Sequence, residues 1–318
     1  MKSPLRYPGG KTRAVKLIME HIPDCGELCS PFLGGGSVEL AVAARGTKVY
    51  GYDIFEPLVW FWKALSEDRQ VLADMADSYR KEHEDYKKGD VKLRGLLKDD
   101  FMSLREELRE ETEYSLENAA KFYAINRSSF SGATFSGGWS KKASYARFTD
   151  SSIDRIREFE EPNLKVGHAD FKESILTHPD AFLYLDPPYM LSKKQQEKLY
   201  GDKGNTHEGF DHQGLYELLK DRKNWVMSYG GDADAIFDMY KDFEIIDLSG
   251  KWSYGMKNVK STEIKEEIKK LQEEKDKLAE NSKGLLEANE QLLKLDASIK
   301  EKKKMGKSSE ILILGDRK

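Results

Sequence analysis

Short apolar runs of strand length recur along this chain, and helical patterns separate most of them. Lys48-Val49-Tyr50-Gly51-Tyr52-Asp53, Leu164-Lys165-Val166-Gly167, Ala181-Phe182-Leu183-Tyr184-Leu185, Trp225-Val226-Met227-Ser228 and Phe243-Glu244-Ile245-Ile246-Asp247-Leu248 all read as buried strands. Helical patterns at 212–220 and 233–239 lie between the later ones. The first crossover is compact: Leu28-Cys29-Ser30 runs into Pro31-Phe32-Leu33-Gly34-Gly35-Gly36-Ser37 and a helix start, and Asp53 ends the next strand. Alternation of this kind predicts an α/β fold, a doubly wound parallel sheet covered on both faces. Ligands of such sheets bind at the carboxyl ends of the strands, so the residues just after each run are the candidates for chemistry.

Two stretches break the alternation. Residues 56–118 are helical in pattern and acidic from 66 onward, which suits solvated helices, and 119–147 holds a helix end followed by Ser, Gly and aromatic residues. The block 61–164 is therefore expected to be a second, small helical domain, with 1–60 and 165–318 forming the sheet domain. Residues 260–304 are rich in Lys and Glu, and Ile264, Ile268, Leu271, Leu278, Leu285, Leu292, Leu295 and Ile299 follow helical spacing. Asn281-Ser282-Lys283-Gly284 breaks that pattern midway, so an antiparallel helical-hairpin insertion is expected there, before a last strand at Ser309-Glu310-Ile311-Leu312-Ile313-Leu314.

Charge narrows the partners. A net charge of −4 excludes coating of nucleic acid by bulk electrostatics, so such a partner needs a local patch. Between 121 and 157 there are seven basic residues against two acidic ones, interleaved with Phe, Tyr and Trp, a mixture suited to phosphate contact and base stacking. No apolar run reaches membrane-spanning length, the first residues lack a signal-peptide pattern, and two cysteines suit a reducing cytoplasm. No His/Cys set has zinc spacing, so no metal site is expected.

Asp186-Pro187-Pro188-Tyr189 directly follows the apolar run ending at Leu185. Prolines alone end a strand, but an acid and an aromatic flanking them suit attack by an exocyclic amine. Such an amine is a poor nucleophile because its lone pair is delocalised into the ring. A carboxylate and a backbone carbonyl accepting its two hydrogens localise that lone pair, and the tyrosine stacks on a base swung out of a duplex. The glycine loop with Asp53 about 20 residues on suits a ligand carrying a ribose. Glu39 stands where a dinucleotide fingerprint has its third glycine, which argues against NAD. Arg6-Tyr7-Pro8-Gly9-Gly10-Lys11-Thr12 is no P-loop, since Leu5 takes the place of its first glycine and no strand precedes it.

In order, Tyr7-Pro8-Gly9-Gly10-Lys11, Pro31-Phe32-Leu33-Gly34-Gly35-Gly36-Ser37, Tyr52-Asp53-Ile54, Asn126-Arg127-Ser128-Ser129-Phe130-Ser131-Gly132, Asp170-Phe171, Asp186-Pro187-Pro188-Tyr189 and Ser309-Glu310-Ile311-Leu312-Ile313 resemble the Dam-related adenine-specific DNA methyltransferases of the D12 class. The resemblance implies a Rossmann-like methyltransferase sheet with S-adenosylmethionine as cofactor and double-stranded DNA as partner. It implies cofactor contacts from Tyr7, Lys11, Pro31, Phe32, Gly34, Gly36, Ser37, Asp53, Ile54, Asp170, Phe171 and Asp186, with Asp186, Pro187, Pro188 and Tyr189 catalytic. The block 61–164 corresponds to the target-recognition domain in the family's alpha arrangement, with Asn126, Arg127, Ser129, Phe130, Ser131, Lys141, Lys142 and Arg147 expected at DNA. The cytoplasm of a bacterium or of a phage-infected cell is the expected setting.

Residues 133–139 depart from the pattern of GATC-reading members, and the 260–304 hairpin is not a usual family feature; it offers a surface for self-association. Two alternatives stay open. An N4-cytosine enzyme uses the same amine chemistry, although Ser is more usual there at the place of Asp186. A non-catalytic DNA-binding scaffold built around the hairpin is the other, against which the intact tetrapeptide and glycine loop speak.

Overall fold

The computed structural model describes residues 2–189, 209–230, 234–248, 269–273, 295 and 310–317. After the short helix α1 (Val15–Met19) come β1 (Glu27–Ser30), α2 (Ser37–Ala43) and β2 (Lys48–Asp53). Helices α3 (Glu56–Glu67) and α4 (Arg69–Ser78) lead into β3 (Lys81–Lys88) and β4 (Val91–Gly95), then α5 (Lys98–Glu110), α6 (Leu116–Ser128), α7 (Lys141–Arg147) and α8 (Asp150–Arg157). The chain continues as β5 (Leu164–His168), α9 (Phe171–Thr177), β6 (Phe182–Leu185), α10 (His212–Leu219), β7 (Trp225–Gly230), α11 (Asp234–Met239), β8 (Phe243–Asp247) and β9 (Glu310–Arg317).

The sheet has seven strands in the order β5-β2-β1-β6-β7-β9-β8. Pairs β2–β5, β1–β2, β1–β6 and β6–β7 are parallel. Every residue of β6 and β7 is buried, as strands covered on both faces require. This is the doubly wound α/β arrangement read from the sequence. β1 runs beside both β2 and β6, so the chain order reverses next to it, and the carboxyl ends of β1, β2 and β6 border a common crevice.

Sequence-local signals explain most helix starts. Asp68, Ser115, Ser140, Asp170 and Asp211 each accept a backbone N–H three residues on, and Thr149 with Ser152 makes a reciprocal capping box. The acidic stretch contains more than helices. β3 and β4 form an antiparallel hairpin with Lys88 opposite Val91, so Gly89-Asp90 is a two-residue turn, with Gly89 at φ +63°. The physical reason is local, since glycine followed by Asp favours a tight hairpin turn, and two strands with charge on both faces lack the alternation that marks a strand.

Helix α3 carries the core from sheet to helices. It buries Pro57, Leu58, Val59, Trp60, Phe61, Trp62, Ala64 and Leu65, packing against α6 on one side and β2 and β5 on the other. Residues 1–229, 233–245 and 312–318 form one compact unit, so the block 61–164, expected as a domain of its own, shares a unit with the sheet. Residues 230–232 and 246–311 form the second unit. Of the 260–304 hairpin only 269–273 and 295 are described, both helical, so the pairing of its two arms lies outside the described residues. Among the described residues no helix is long and apolar enough to cross a membrane.

Candidate active site

A cleft of about 350 Å³ opens at the carboxyl ends of these strands. Tyr7, Lys11, Pro31, Phe32, Gly34, Gly36, Ser37, Asp53, Ile54, Asp170, Phe171, Asp186, Pro187, Pro188 and Tyr189 all line it, so the structure brings the sequence motifs of five separate segments to one place.

The glycine loop shows why its residues have no side chain. Gly34 and Gly36 adopt φ of +47° and +64°, a region costly for other residues. A Cβ on Gly34 or Gly35 would meet the Tyr7 side chain at 2.9 Å, and one on Gly36 would meet Trp62 at 2.7 Å. The glycines thus admit two aromatic side chains of the protein as well as a ligand. Trp62 Nε1 also donates to Gly34 O at 3.2 Å, pinning the loop.

Asp53 is buried, and its carboxylate accepts from Gly34 N and Phe55 N, both at 3.0 Å. Burial pushes its pKa up, and the backbone donors act in the opposite direction. The carboxylate keeps acceptor capacity for a hydroxyl donor. On the β5 side, Phe32, Phe171 and Phe210 form an aromatic wall with centroid separations of 5.1 to 6.1 Å. Asp170 has one oxygen committed to Glu173 N at 2.8 Å as the cap of α9.

On the β6 side lies an ionic cluster. Lys11, 4% exposed, donates to Asp186 Oδ1 and Oδ2 at 2.6 and 2.7 Å, to Tyr189 Oη at 2.7 Å and to Gly9 O at 3.0 Å. Ser228 Oγ donates to Asp186 Oδ1 at 3.0 Å, and Tyr189 Oη does so at 3.2 Å. Oδ1 is therefore crowded with donors, whereas Oδ2 receives Lys11 alone among the described residues and keeps an acceptor position. Tyr189 packs on Tyr229 at 4.9 Å, which fixes its ring beside the carboxylate.

Sequence reasoning missed Ser228, Phe210, Tyr229 and Glu39 as site residues. Ser228 reaches Asp186 because β6 and β7 are parallel with Leu185 opposite Met227. Glu39 lines the cleft from α2, 2% exposed, and accepts from Ser30 Oγ at 2.6 Å.

The residues expected at DNA divide into two groups. Asn126, Arg127 and Ser129 are buried, so direct contact with a duplex does not fit their surroundings. Asn126 accepts from Arg6 N at 3.1 Å and donates to Arg6 O and Gly132 O at 2.7 and 2.9 Å. Arg127 donates to Pro4 O and to Arg147 O, and Ser129 Oγ donates to Asn126 O and accepts from Thr134 N. These three hold a loop in shape. On the surface of that loop Phe130 is 67% exposed beside Ser131, whose φ of +56° is rare for a residue with a side chain. Lys141, Lys142 and Arg147 are exposed along α7, and Lys141 lies over the Tyr86 ring at 4.5 Å. Burial, together with repulsion from Arg127 and Arg147, lowers the Arg6 pKa to about 10.

Comparison with known proteins agrees with this geometry. A Type II methyltransferase of Methanocaldococcus jannaschii, M.MjaIII, is 24% identical over 216 residues, covering 58% of this chain and 68% of the relative. Residues 7–254 match the model of the D12 class N6 adenine-specific DNA methyltransferases. With the strand order, the cleft and the tetrapeptide at its edge, that match decides between adenine and cytosine and between enzyme and idle scaffold: the chain belongs to the D12 class of N6 adenine-specific DNA methyltransferases.

Proposed function

We propose that the methyl donor is S-adenosylmethionine, held along the cleft from the aromatic wall to the ionic cluster, and that Asp186 receives the N6 amine of a target adenine swung out of the duplex. The observation that carries this reading is the triple arrangement across β2, β1 and β6: a buried carboxylate, a glycine loop and a Lys-paired aspartate facing one cleft. An adenosyl ligand with a charged tail matches it in kind, with apolar ring surface, ribose hydroxyls and ionic groups in that order. Phe32, Ile54, Phe171 and Phe210 enclose the adenine ring, with Asp170 beside them; Asp53 accepts from the ribose; Tyr7, Lys11 and the loop of Pro31, Gly34, Gly36 and Ser37 close the remaining sides.

When bound, the donor supplies a methyl group on a positively charged sulfur. The chain's own residues prepare the acceptor. Asp186 Oδ2 and a backbone carbonyl of Pro187-Pro188 accept the two amine hydrogens, which directs the nitrogen lone pair at the methyl carbon. Transfer of that methyl to the amine would leave a neutral thioether, and Asp186 is placed to take the amine proton along its hydrogen bond. Lys11 and Ser228 fix the carboxylate from behind, and Tyr189 stacks on the flipped base.

The loop bearing Phe130 and Ser131, with Lys141, Lys142 and Arg147 on α7, faces the DNA in this reading, while Asn126, Arg127 and Ser129 support it. A site-specific role of the type II kind follows the named relative. Calorimetric titration with S-adenosylmethionine tests the donor, with binding expected in the micromolar range and absence of heat overturning the assignment. Mass spectrometry of nucleosides from a methylated duplex then reports the product of each variant.

A further inference from the structure

We infer that Glu39 is the ionic partner of the donor's α-ammonium group, an inference that rests on reading the donor as S-adenosylmethionine. Glu39 is the third residue of α2 and lines the cleft from beneath the glycine loop. It is buried, yet no ion pair to it forms among the described residues, and its one side-chain partner is the neutral hydroxyl of Ser30. A carboxylate taken out of water without a cation is costly, and natural sites keep one where a ligand supplies the missing charge.

The neighbours leave that place open. Two charged groups act on Glu39, Lys11 from the segment before α1 and Asp186 from the end of β6, and they act in opposite directions. Lys11 is already committed to Asp186, Tyr189 and Gly9. From β1 the facing group is Ser30. Around Glu39 there are thus two carboxylates, its own and that of Asp186, and one ammonium, that of Lys11, which is already paired with Asp186.

Burial raises the Glu39 pKa to about 7, and the Ser30 hydrogen bond opposes this. A cation beside it restores the ordinary carboxylate state. Ligand binding near neutral pH therefore expels a proton, and affinity weakens as pH falls.

The plain alternative is that Glu39 only clips α2 to β1 through Ser30. Calorimetry on the full chain separates the two, with S-adenosylmethionine, S-adenosylhomocysteine, which keeps the ammonium but not the sulfonium, and 5′-methylthioadenosine, which has neither. Glu39→Gln is expected to weaken the first two ligands alike by about tenfold or more, leave the third unchanged, and flatten the affinity between about pH 6 and about pH 7.5. Proton release, read from the dependence of the binding heat on the buffer, is expected in the parent with S-adenosylhomocysteine and not with 5′-methylthioadenosine. This measurement needs no variant. Ser30→Ala, which cuts the clip but keeps the charge, is expected to retain that release. Equal weakening of all three ligands by Glu39→Gln, or no weakening of any, overturns the proposal; loss confined to S-adenosylmethionine overturns it in favour of the sulfonium. A parent protein that binds no S-adenosylmethionine at all instead overturns the donor reading.

Discussion

At the cleft, Lys11, Asp53 and Asp186 are tied to partners within the chain and still border open space, whereas around residues 126–139 the polar side chains turn inward. Asn126, Arg127 and Ser129 bond to backbone and loop, and what reaches the surface is a phenylalanine on a positive-φ turn with bases on a neighbouring helix. The difference follows from what each region handles. Chemistry needs functional atoms in contact with the reacting groups, so the cleft presents its ionisable residues. On the proposed reading, a loop that meets a duplex needs a stiff edge, which the inward-turned polar groups supply, leaving recognition to few side chains.

The sharpest way to break this contrast is at Asp186. Asp186→Ala is expected to lower kcat by about a thousandfold or more, since it removes the acceptor for the amine hydrogens. N6-methyladenine formation in a defined duplex measures it, and a fall under tenfold would show that the cleft's half-buried carboxylate is as structural as the buried Asn126. The next largest effect is expected in the loop. Asn126→Ala leaves Arg6 N, Arg6 O and Gly132 O without their partner and is expected to cost about 2 kcal/mol or more, seen as a lower thermal midpoint. Phe130→Ala, by contrast, is expected to leave that midpoint in place and weaken duplex binding by about tenfold, the scale of one stacking contact. An inverted result, with Phe130 setting stability and Asn126 setting affinity, would reverse the division of labour. The smallest effect sharpens the contrast at α7. Replacing Lys142 and Arg147 together by Gln is expected to reduce the slope of log affinity against log salt by about 2 and leave donor affinity unchanged.

How much was legible in the sequence follows the same line. Asp53, the glycine loop and Asp186 stand out because each lies at or just past the carboxyl end of a strand, where sheet topology alone assigns them to the crevice. Ser228 lay in plain view as a strand residue, but its role depends on the parallel register that sets Leu185 against Met227. Glu39 read as a missing glycine, because its orientation toward Ser30 arises only when α2 lies back over β1. Asn126 and Arg127 read as surface residues by type, and their burial is decided by Pro4 and Arg6 more than a hundred residues away. The hairpin of β3 and β4 escaped because charge on both faces hides a strand, although Gly89-Asp90 carried the signal for its turn.

Trp62 joins the two regions. It props Gly36 and holds Gly34 O, while its neighbour Phe61 stacks on Tyr123 of α6 at 5.3 Å, the helix that ends in Asn126 and Arg127. A single turn of α3 therefore stands between the floor of the donor site and the base of the loop. Thermodynamic linkage makes any coupling through such a joint reciprocal: the factor by which donor tightens duplex is the factor by which duplex tightens donor. Measuring either affinity in the presence and absence of the other ligand is therefore expected to return the same factor from both sides.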